Sequence, residues 1–371
     1  MRDADFVIFG PKDVDLTRSP LRKTLEAETY VLGAFNPGLT RLPNGNLLMM
    51  VRIAEALREP IRDHHIHAIR WDSSGYRLDA YPVAHVNAAD PRKFQVLGYQ
   101  AKVMALTSLS WILPVELNAD GSRIVAVQYD RAVAPERSYQ EYGVEDARIS
   151  LVEGKYYMTT CSVSAERHST TLYTSSDGLN YNLQGIILDH QNKDMLIFEG
   201  KPNDRFYALT RPLGDLYFAY PAGSPYQPGP SINLASSPDC LHWKPADTPF
   251  IRARKESTSA MKIGGGTQPI LTKNGWLLLY HGVEPRSLVG VYRTFWALLD
   301  STDPSRVVRL EDEQPLLEAN PELTAPFKEQ MYVSDVVFTT GIVDGGDAYL
   351  VASGEADLLC RITRVPKSVF E

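Results

Sequence analysis

Five segments of this chain repeat one pattern of polar and hydrophobic positions. Each begins with a turn that carries Gly, Asn or Asp, continues as a hydrophobic and aromatic run, and ends at a polar or charged residue; the segments are 41–52, 151–160, 201–211, 272–281 and 344–352. Such short runs bounded by turn residues are typical of β-strands. A supersecondary unit that recurs along a chain indicates a repeat architecture, and the pattern therefore predicts an all-β propeller.

A second recurring element supports this interpretation. Three stretches follow an apolar run and place Ser, Asp and Gly or Pro at a turn with an aromatic residue just beyond it; they are 71–76, 175–181 and 236–243. We expect them to be the outer hairpins of blades, with the aromatic side chain packed between sheets. The alternative is that any all-β protein accumulates turns of this composition.

The repeat has a consequence for function. In a propeller the inner strands of all blades end at one central pocket, so residues distant in sequence can meet there. Arg52, Arg211 and His281 end the hydrophobic runs of three of the repeats. The sequence therefore predicts that these side chains lie in one central active-site pocket.

Composition agrees with a single globular domain. The chain has 371 residues, of which 44% are hydrophobic, with 25 Gly, 25 Pro and 19 Tyr. No linker-like or low-complexity tract divides it, so we predict one catalytic domain over residues 1–371, with 1–30 as an N-terminal extension packed on the propeller.

Charge and segment composition exclude several classes of partner. The formal net charge of −7 disfavours nonspecific nucleic-acid binding. No apolar run approaches the length of a membrane span, and the N-terminus lacks the order of a signal peptide. The three cysteines have no metal-ligand spacing, and no metal site is expected. These features predict a cytoplasmic protein, with homo-oligomerisation left open.

The segment 143–149 is the most informative local motif. Glu145 and Asp146 are adjacent carboxylates, and Arg148 follows two residues later, just before an apolar run. In an extended strand Asp146 and Arg148 share a face while Glu145 points the other way. A carboxyl group held beside a cation suits acid–base chemistry. The structural alternative is a surface turn with a salt bridge.

Four further side chains could bind an anion. Lys193, Arg211, Lys262 and His281 lie on three different repeats, and Lys262 precedes a triple-Gly turn that lets the backbone approach a ligand closely. Arg presents a planar fork to phosphate oxygens and Lys a point charge. A nucleotide-binding P-loop is excluded because no Gly-Lys-Ser/Thr ending is present. Singly, a Lys is more often exposed and a His more often structural.

Nine short stretches occur in the order found in one known family. They are 35–38, 50–52, 143–148, 192–194, 211–212, 237–243, 262–264, 276–282 and 354–357, and the match runs from about residue 30 to 365. In these stretches the chain resembles glycoside hydrolase family 130. The resemblance implies a five-bladed β-propeller that acts on β-mannosides by phosphorolysis or hydrolysis.

The resemblance also implies roles for individual residues. Asp146 would be the proton donor, and the phosphate-binding residues would be Lys193, Arg211, Lys262 and His281. The substrate-binding residues would be Asn36, Arg52, Arg148, Tyr280 and Asp357. No cofactor is implied, since inorganic phosphate is the co-substrate. The chain departs from the family pattern at Ala147, Glu199, Ala352, Ser353 and Glu355, which leaves mannosidic linkage and chain length open.

These residues favour inverting phosphorolysis that yields α-mannose 1-phosphate. An inverting hydrolase needs a second carboxylate to activate water, whereas a phosphorylase needs only a cationic cradle for its nucleophile. Glu145, Glu199, Glu284 and Glu355 keep a β-mannosidase as the alternative, since any that reached the pocket could act as base. A non-catalytic sugar-binding propeller is a third possibility, but it gives no reason for the cations.

Overall fold

The protein is almost entirely β-structure. A computed structural model describes residues 4–188, 190–213 and 218–371. The first eleven strands are β1 (Ala4–Phe9), β2 (Thr29–Arg41), β3 (Leu47–Leu57), β4 (Ile61–Arg62), β5 (His65–Asp72), β6 (Gly75–Pro82), β7 (Val86–Asp90), β8 (Lys93–Val96), β9 (Val103–Leu106), β10 (Ser108–Leu117) and β11 (Ile124–Val127).

The strands of the middle of the chain follow without an intervening α-helix in the described residues. They are β12 (Gly143–Val152), β13 (Lys155–Val163), β14 (His168–Ser175), β15 (Asn182–Ile186), β16 (Asn192–Ile197), β17 (Phe206–Pro212), β18 (Tyr226–Ser237), β19 (Lys244–Pro245) and β20 (Ile251–Arg254).

The remaining strands reach nearly to the C-terminus. They are β21 (Lys262–Gly265), β22 (Ile270–Thr272), β23 (Gly275–Glu284), β24 (Val291–Leu299), β25 (Val307–Glu311), β26 (Val337–Asp344), β27 (Ala348–Glu355) and β28 (Leu359–Pro366). One α-helical turn is described, α1 (Pro321–Thr324). The described 3-10 turns are Pro11–Asp13, Leu16–Arg18, Pro20–Lys23, Val83–His85, Tyr129–Arg131, Ser138–Gln140, Pro202–Asp204, Ala325–Phe327 and Lys367–Phe370.

The strands form five consecutive groups. Group 1 contains β2, β3, β10 and β11; group 2 contains β12 to β15; group 3 contains β16 to β20; group 4 contains β21 to β25; and group 5 contains β26, β27, β28 and β1. Groups 1 and 2 belong to one sheet only through a single parallel pair, Ser110 with Gly143. A side chain at Gly143 would meet the backbone of Ser110 within 3 Å, so glycine is needed at this junction.

The hydrophobic cores lie between neighbouring groups. One cluster joins groups 1 and 2, a second groups 2 and 3, a third groups 3 and 4, a fourth groups 4 and 5, and a fifth groups 5 and 1. Sheets covered on both faces explain the continuous apolar runs of the repeats. In β3 every residue is buried except Arg52, which is partly exposed.

The N-terminal residues complete the last group. β1 pairs antiparallel with β28, and the fully buried Arg361 of β28 donates to Asp5 of β1 (2.6 and 2.8 Å) and to Glu355 of β27 (2.7 Å). Beyond β1, Ser19 donates to the buried Glu55 of β3 at 2.5 Å. The segment predicted as an extension is thus hydrogen-bonded into groups 5 and 1.

Two small three-stranded sheets are inserted between β3 and β10. One contains β4, β5 and β6, and the other β7, β8 and β9. The turn at 71–76 joins β5 to β6, so its assignment as an outer hairpin of a repeat was wrong. The turns at 175–181 and 236–243 connect β14 to β15 and β18 to β19, and β15 and β19 are edge strands of groups 2 and 3, as expected for outer hairpins.

Candidate active site

Three of the first strands of the groups carry the same irregularity at a polar residue. The pairing register shifts within β2 after Phe35, within β12 after Glu145 and within β16 after Lys193. The residue that follows each is left-handed, namely Asn36 (φ 49), Asp146 (φ 51) and Asp194 (φ 53). A bulge of this kind re-aims side chains, and Asn and Asp tolerate this backbone better than other non-glycine residues.

The carboxylate of Asp146 is held from two strands. Its Oδ1 accepts hydrogen bonds from Asn36 Nδ2 at 2.9 Å and from Arg52 Nη1 at 3.0 Å. Arg52 is itself fixed, because its Nε donates to Ser110 Oγ and its guanidinium lies 5.0 Å from the ring centre of Phe35. Asp146, Asn36 and Arg52 therefore form one preorganised unit.

The electrostatics of this unit keep Asp146 ionised. Burial raises the pKa of the Asp146 carboxyl, but the positive charges of Arg52 and Lys193 outweigh it and hold the pKa below its ordinary value. In this state Asp146 accepts hydrogen bonds and cannot donate a proton.

Glu145 lies on the same side as Asp146, contrary to the alternation predicted for an extended strand. Its Oε1 pairs with Arg52 Nη2 at 2.7 Å and its Oε2 with Lys193 Nζ at 2.9 Å. The left-handed bulge at Asp146 breaks the two-residue period, so both carboxylates reach Arg52. Arg148 instead binds the backbone carbonyl of Asp146 at 2.9 Å.

A second cluster surrounds the buried carboxylate of Asp194. Arg211 Nε lies 2.9 Å from Asp194 Oδ2, Arg148 Nη2 3.6 Å from Oδ1, and His281 Nε2 3.9 Å from Oδ2. These contacts are ion pairs or near contacts without hydrogen-bond geometry. Arg148 Nη2, Arg211 Nε and both ring nitrogens of His281 are buried with no hydrogen-bond partner among the described residues.

The backbone of β21 makes room for this cluster. A Cβ atom at Gly264 would lie 2.6 Å from the imidazole of His281 and 2.8 Å from the Arg211 side chain. The triple-Gly turn thus permits the close approach that its sequence predicted, although the atoms that approach are protein side chains. Phe338 forms a wall of the cluster, with its ring centre 4.8 Å from that of His281 and 5.3 Å from the Arg148 guanidinium.

The two weaker bases of the cluster have lowered pKa values. Burial, with the nearby charges of Arg211 and Arg148, lowers the pKa of His281 to about 3, although Asp194 opposes the shift, so the imidazole is neutral at physiological pH. Burial and the charge of Arg211 lower the pKa of Lys262 to about 8. Lys262 Nζ lies 3.2 Å from the Tyr292 hydroxyl.

Asp357 lies in the turn between β27 and β28, next to β2. It has left-handed backbone (φ 48), and its carbonyl accepts from the Tyr332 hydroxyl at 2.8 Å. A Cβ at Gly33 of β2 would lie 2.3 Å from that carbonyl. Asp357 also interacts electrostatically with Arg52, which places it on the Asp146 side of the site.

Two site predictions need correction. Tyr280 does not face the site, because its hydroxyl donates to the Glu311 carbonyl at 3.1 Å and its ring belongs to the core between groups 3 and 4. Along β23 side chains alternate, so Tyr280 points away where His281 points in. The four predicted anion-binding residues lie on groups 3 and 4 only, not on three repeats.

Sequence reasoning assigned no role to several residues of the site. Asp194 contacts Arg211, Phe338 contacts Arg148 and Tyr292 contacts Lys262, and Glu145 was considered only as a base for water. A signal existed for Asp194, because Asn192-Lys193-Asp194 resembles Glu145-Asp146 in placing a carboxylate near the start of the first strand of a group. No local pattern marked Phe338 or Tyr292.

The geometry defines an enzyme site with two halves, an ionised carboxylate unit and a buried cluster of nitrogen donors. A family model described as β-1,4-mannooligosaccharide phosphorylase matches residues 91–370, and the chain belongs to this family, glycoside hydrolase family 130. The resemblance predicted from the motifs is thus confirmed, and with it the prediction of an enzyme.

Particular relatives are similar along most of the chain. A β-1,2-mannobiose phosphorylase of Listeria innocua is 30% identical over 346 residues, covering 88% of this chain and 87% of its own. A 1,2-β-oligomannan phosphorylase of Thermoanaerobacter sp. is 30% identical over 62% of this chain and 71% of its own. The solved structure of the Listeria innocua enzyme with β-1,2-mannobiose has a TM-score of 0.81 at 28% identity, with 98% of this chain and 97% of that chain covered.

Proposed function

We propose that this protein is an inverting phosphorylase that cleaves β-1,2-linked mannosides with inorganic phosphate, giving α-mannose 1-phosphate and a shortened acceptor. The observation that carries the proposal is the set of buried nitrogens on Arg148, Arg211 and His281 without hydrogen-bond partners in the described residues. Such groups are costly to bury unless a ligand satisfies them. A phosphate dianion supplies four oxygens to adjacent donors of this kind.

We further propose that the five strand groups are the blades of a five-bladed propeller in one catalytic domain. Three observations support it. Each of the five sequence repeats contributes the strand that is second in the hydrogen-bonded order of a different group, namely β3, β13, β17, β23 and β27. The cores link the groups in a circle, and β1 joins the first residues to the last sheet. Solved structures of low identity, such as a putative glycosidase of Bacteroides thetaiotaomicron at TM-score 0.66, share the fold.

The proposed mechanism divides the chemistry between the two halves of the site. The mannosyl ring lies against Asn36, Arg52 and Asp357, and phosphate lies against Lys193, Arg211, Lys262 and His281. Phosphate attacks C1, the bond from C1 to the glycosidic oxygen breaks, and that oxygen takes a proton from Asp146 through a sugar hydroxyl. His281 acts as a neutral donor, since its pKa is about 3. Asp146 must gain its proton when the mannosyl ring binds beside it, because exclusion of water favours the neutral carboxyl.

The contacts of the four glutamates considered as alternative bases disfavour the hydrolase, and Asp357 is assigned to the mannosyl ring instead. An inverting hydrolase needs a free carboxylate about 6.5–9.5 Å from the acid. Glu284 pairs with Arg286 and Arg293, and Glu355 with Arg361. Glu199 lies beside Gln268 and the backbone of Leu151, outside both site clusters. Glu145 is in the site, but Arg52 and Lys193 hold both of its oxygens.

The names of the relatives and the chemistry of the product extend the proposal. Three of the relatives are named for β-1,2-mannosides, and one, 26% identical, for β-1,4-mannooligosaccharides. We therefore propose the β-1,2 linkage, with oligosaccharide and phosphate as partners and no cofactor.

A phosphorylated sugar is useful where it is retained, which supports a cytoplasmic location. Among the described residues no helix has the length and apolar character to span a membrane.

Reverse synthesis tests this proposal. The protein should release phosphate from α-mannose 1-phosphate when mannose or a β-1,2-mannooligosaccharide is the acceptor, and NMR of the product should show a new β-1,2 bond. Glucose 1-phosphate is the matched donor control. A β-1,4 product would correct the linkage, and no phosphate release with any acceptor would contradict the phosphorylase assignment.

A further inference from the structure

Asp357 is unlike the other carboxylates of the site. Its backbone is fixed in the β27–β28 turn by the hydrogen bond from Tyr332 to its carbonyl. In the part of the chain that the structure describes, its side chain makes no hydrogen bond and no ion pair, although Glu145, Asp146 and Asp194 each contact a cation within 3.0 Å. Asp357 therefore lacks the direct cationic partner that each of the other three has.

The net positive charge of the site is too small to neutralise a phosphate dianion. Four cations, Arg52, Arg148, Lys193 and Arg211, pair with the three carboxylates Glu145, Asp146 and Asp194. Lys262, beside Tyr292, adds one positive charge and an ionised Asp357 adds one negative charge. The net charge of this set is then about +1, and phosphate as a dianion would make it negative in a buried site. Uptake of one proton restores neutrality.

The surroundings favour Asp357 as the group that takes this proton. The titratable and charged groups that act on it come from every neighbouring element, namely Arg52 on β3, Arg92 before β8, Glu145 and Asp146 on β12, Tyr292 on β24 and Tyr332 before β26. Burial raises the pKa of Asp357 above its ordinary value despite the opposing charges of Arg52 and Arg92. Asp146, by contrast, has a lowered pKa.

We propose that phosphate binding loads a proton onto Asp357, which then lies in the site as a neutral acid. The inference rests on the proposed function and identifies a second titrating residue of that site. The proton comes from solvent on binding and returns when the products leave, so no other reactant is required. Affinity for phosphate should consequently fall as pH rises through the pKa of Asp357 in the phosphate complex.

Calorimetry can count this proton. Phosphate, and separately sulfate, is titrated into the protein at about pH 7 in two buffers of different ionisation enthalpy. Sulfate does not titrate in this range, so any uptake on its binding belongs to the protein. Lys262, with a pKa of about 8, already carries its proton at this pH. Asp357→Asn is the test variant, because Asn resembles the neutral acid in shape.

Two matched variants separate other sources of the proton. Glu199→Gln removes a buried carboxyl whose pKa burial raises to about 7 but which lies outside the site clusters. His281→Gln removes the neutral imidazole that phosphate could protonate. Uptake of about one proton per anion is expected in the parent and in both of these variants. Asp357→Asn should bind the anion with no uptake for sulfate.

Each outcome of these titrations either supports or overturns the inference. No uptake in the parent, or an unchanged uptake in Asp357→Asn, would overturn the inference, as would a loss confined to His281→Gln. If sulfate does not compete with phosphate, the parent and Asp357→Asn are compared with phosphate alone. A proton carried on phosphate itself would still be taken up by Asp357→Asn, so only a loss of uptake in this variant identifies Asp357. Phosphorolysis is assayed on the same samples by mannose 1-phosphate release, so failure of the proposed function is seen independently.

Discussion

Two buried charge networks in this protein differ in how completely their members are satisfied. The first, which we call the closure network, consists of Arg361, Asp5 and Glu355 and joins β28 to β1 and β27; Arg361 is fully buried and donates to both carboxylates and to the Glu318 carbonyl at 2.6–2.8 Å. In the anion cluster, Arg148, Arg211 and His281 surround Asp194 and leave four nitrogens without partners in the described residues. Both networks connect strands of the same fold.

The difference separates structural charges from functional ones. A buried ion pair with complete hydrogen bonding holds strands together, and removing one partner leaves an uncompensated charge. A cluster that is incomplete within the protein is complementary to something else, here an anion. Truncating a cation in the closure network should cost stability, whereas truncating one in the anion cluster should cost phosphate binding. The predictions below test this contrast.

Asp146→Asn should have the largest effect on catalysis. The amide can still accept from Arg52 but cannot supply a proton, so kcat should fall about 100-fold to 10,000-fold. Asp120→Asn, at an exposed turn where Asp120 caps Ser122, is the matched control and should leave kcat unchanged. Rates are measured on an unactivated β-mannoside, with circular dichroism for folding. Retention of more than about a third of the parental rate would disprove the role of Asp146.

Arg361→Ala should have the largest effect on stability. It removes the cation that pairs with the buried Glu355 and with Asp5, and breaking a buried pair in this way costs about 3–5 kcal/mol. Denaturant unfolding measures the change, and Arg306→Ala, which removes an exposed arginine paired with Asp300, is the control. The contrast between the networks would be broken if Arg361→Ala unfolded at the parental denaturant concentration.

Glu199 should make stability depend on pH. Burial raises the pKa of Glu199 from its ordinary value of 4.5 to about 7, and none of the described cations pairs with it. The favourable contribution is complete below pH 4.5 and is lost as pH rises through 7, a change of about 3 kcal/mol. Glu199→Gln, which stays neutral, should flatten this part of the stability profile. Parallel profiles for variant and parent between about pH 4.5 and 7 would contradict the assignment.

Arg211→Ala and His281→Gln should affect phosphate more than mannoside. Each removes donors that would bind phosphate, worth about 1.5–3 kcal/mol, so KM for phosphate should rise roughly tenfold to a hundredfold. KM for the mannoside and the unfolding midpoint should stay near parental values. Initial rates over both substrate concentrations give the two constants, and Arg211→Lys is the conservative comparison. Equal rises in both KM values would indicate general loss of the pocket instead.

Much of the fold could be predicted from repeated local patterns. The five hydrophobic runs are the second strands of the five groups, and Arg52, Arg211 and His281 occupy these strands as expected. Hydrophobic runs predict these strands well, because a strand that is buried on both faces of its sheet requires a continuous apolar sequence. The inserted sheets over residues 58–107 were missed, because their turns resemble those of the main repeats.

The site was less predictable, because its geometry depends on backbone irregularities and long-range packing. The bulge at Asp146 places Glu145 and Asp146 on one side, which an extended strand forbids. Tyr280 was assigned to the site although strand alternation beside His281 directs it into the core. Phe338 reaches the cluster from a strand far along the chain, and no local pattern could reveal that contact.

The most direct test of the central claim is the identity of the sugar product as a function of phosphate concentration. The protein is incubated with β-1,2-mannobiose in phosphate-free buffer and with increasing phosphate, and mannose 1-phosphate and mannose are quantified by NMR. If the buried donor nitrogens serve to bind phosphate, cleavage should be negligible without phosphate and its rate should saturate as phosphate is added. One mannose 1-phosphate should form per bond cleaved. Release of two free mannose molecules per bond at a rate independent of phosphate would contradict the account and identify a hydrolase.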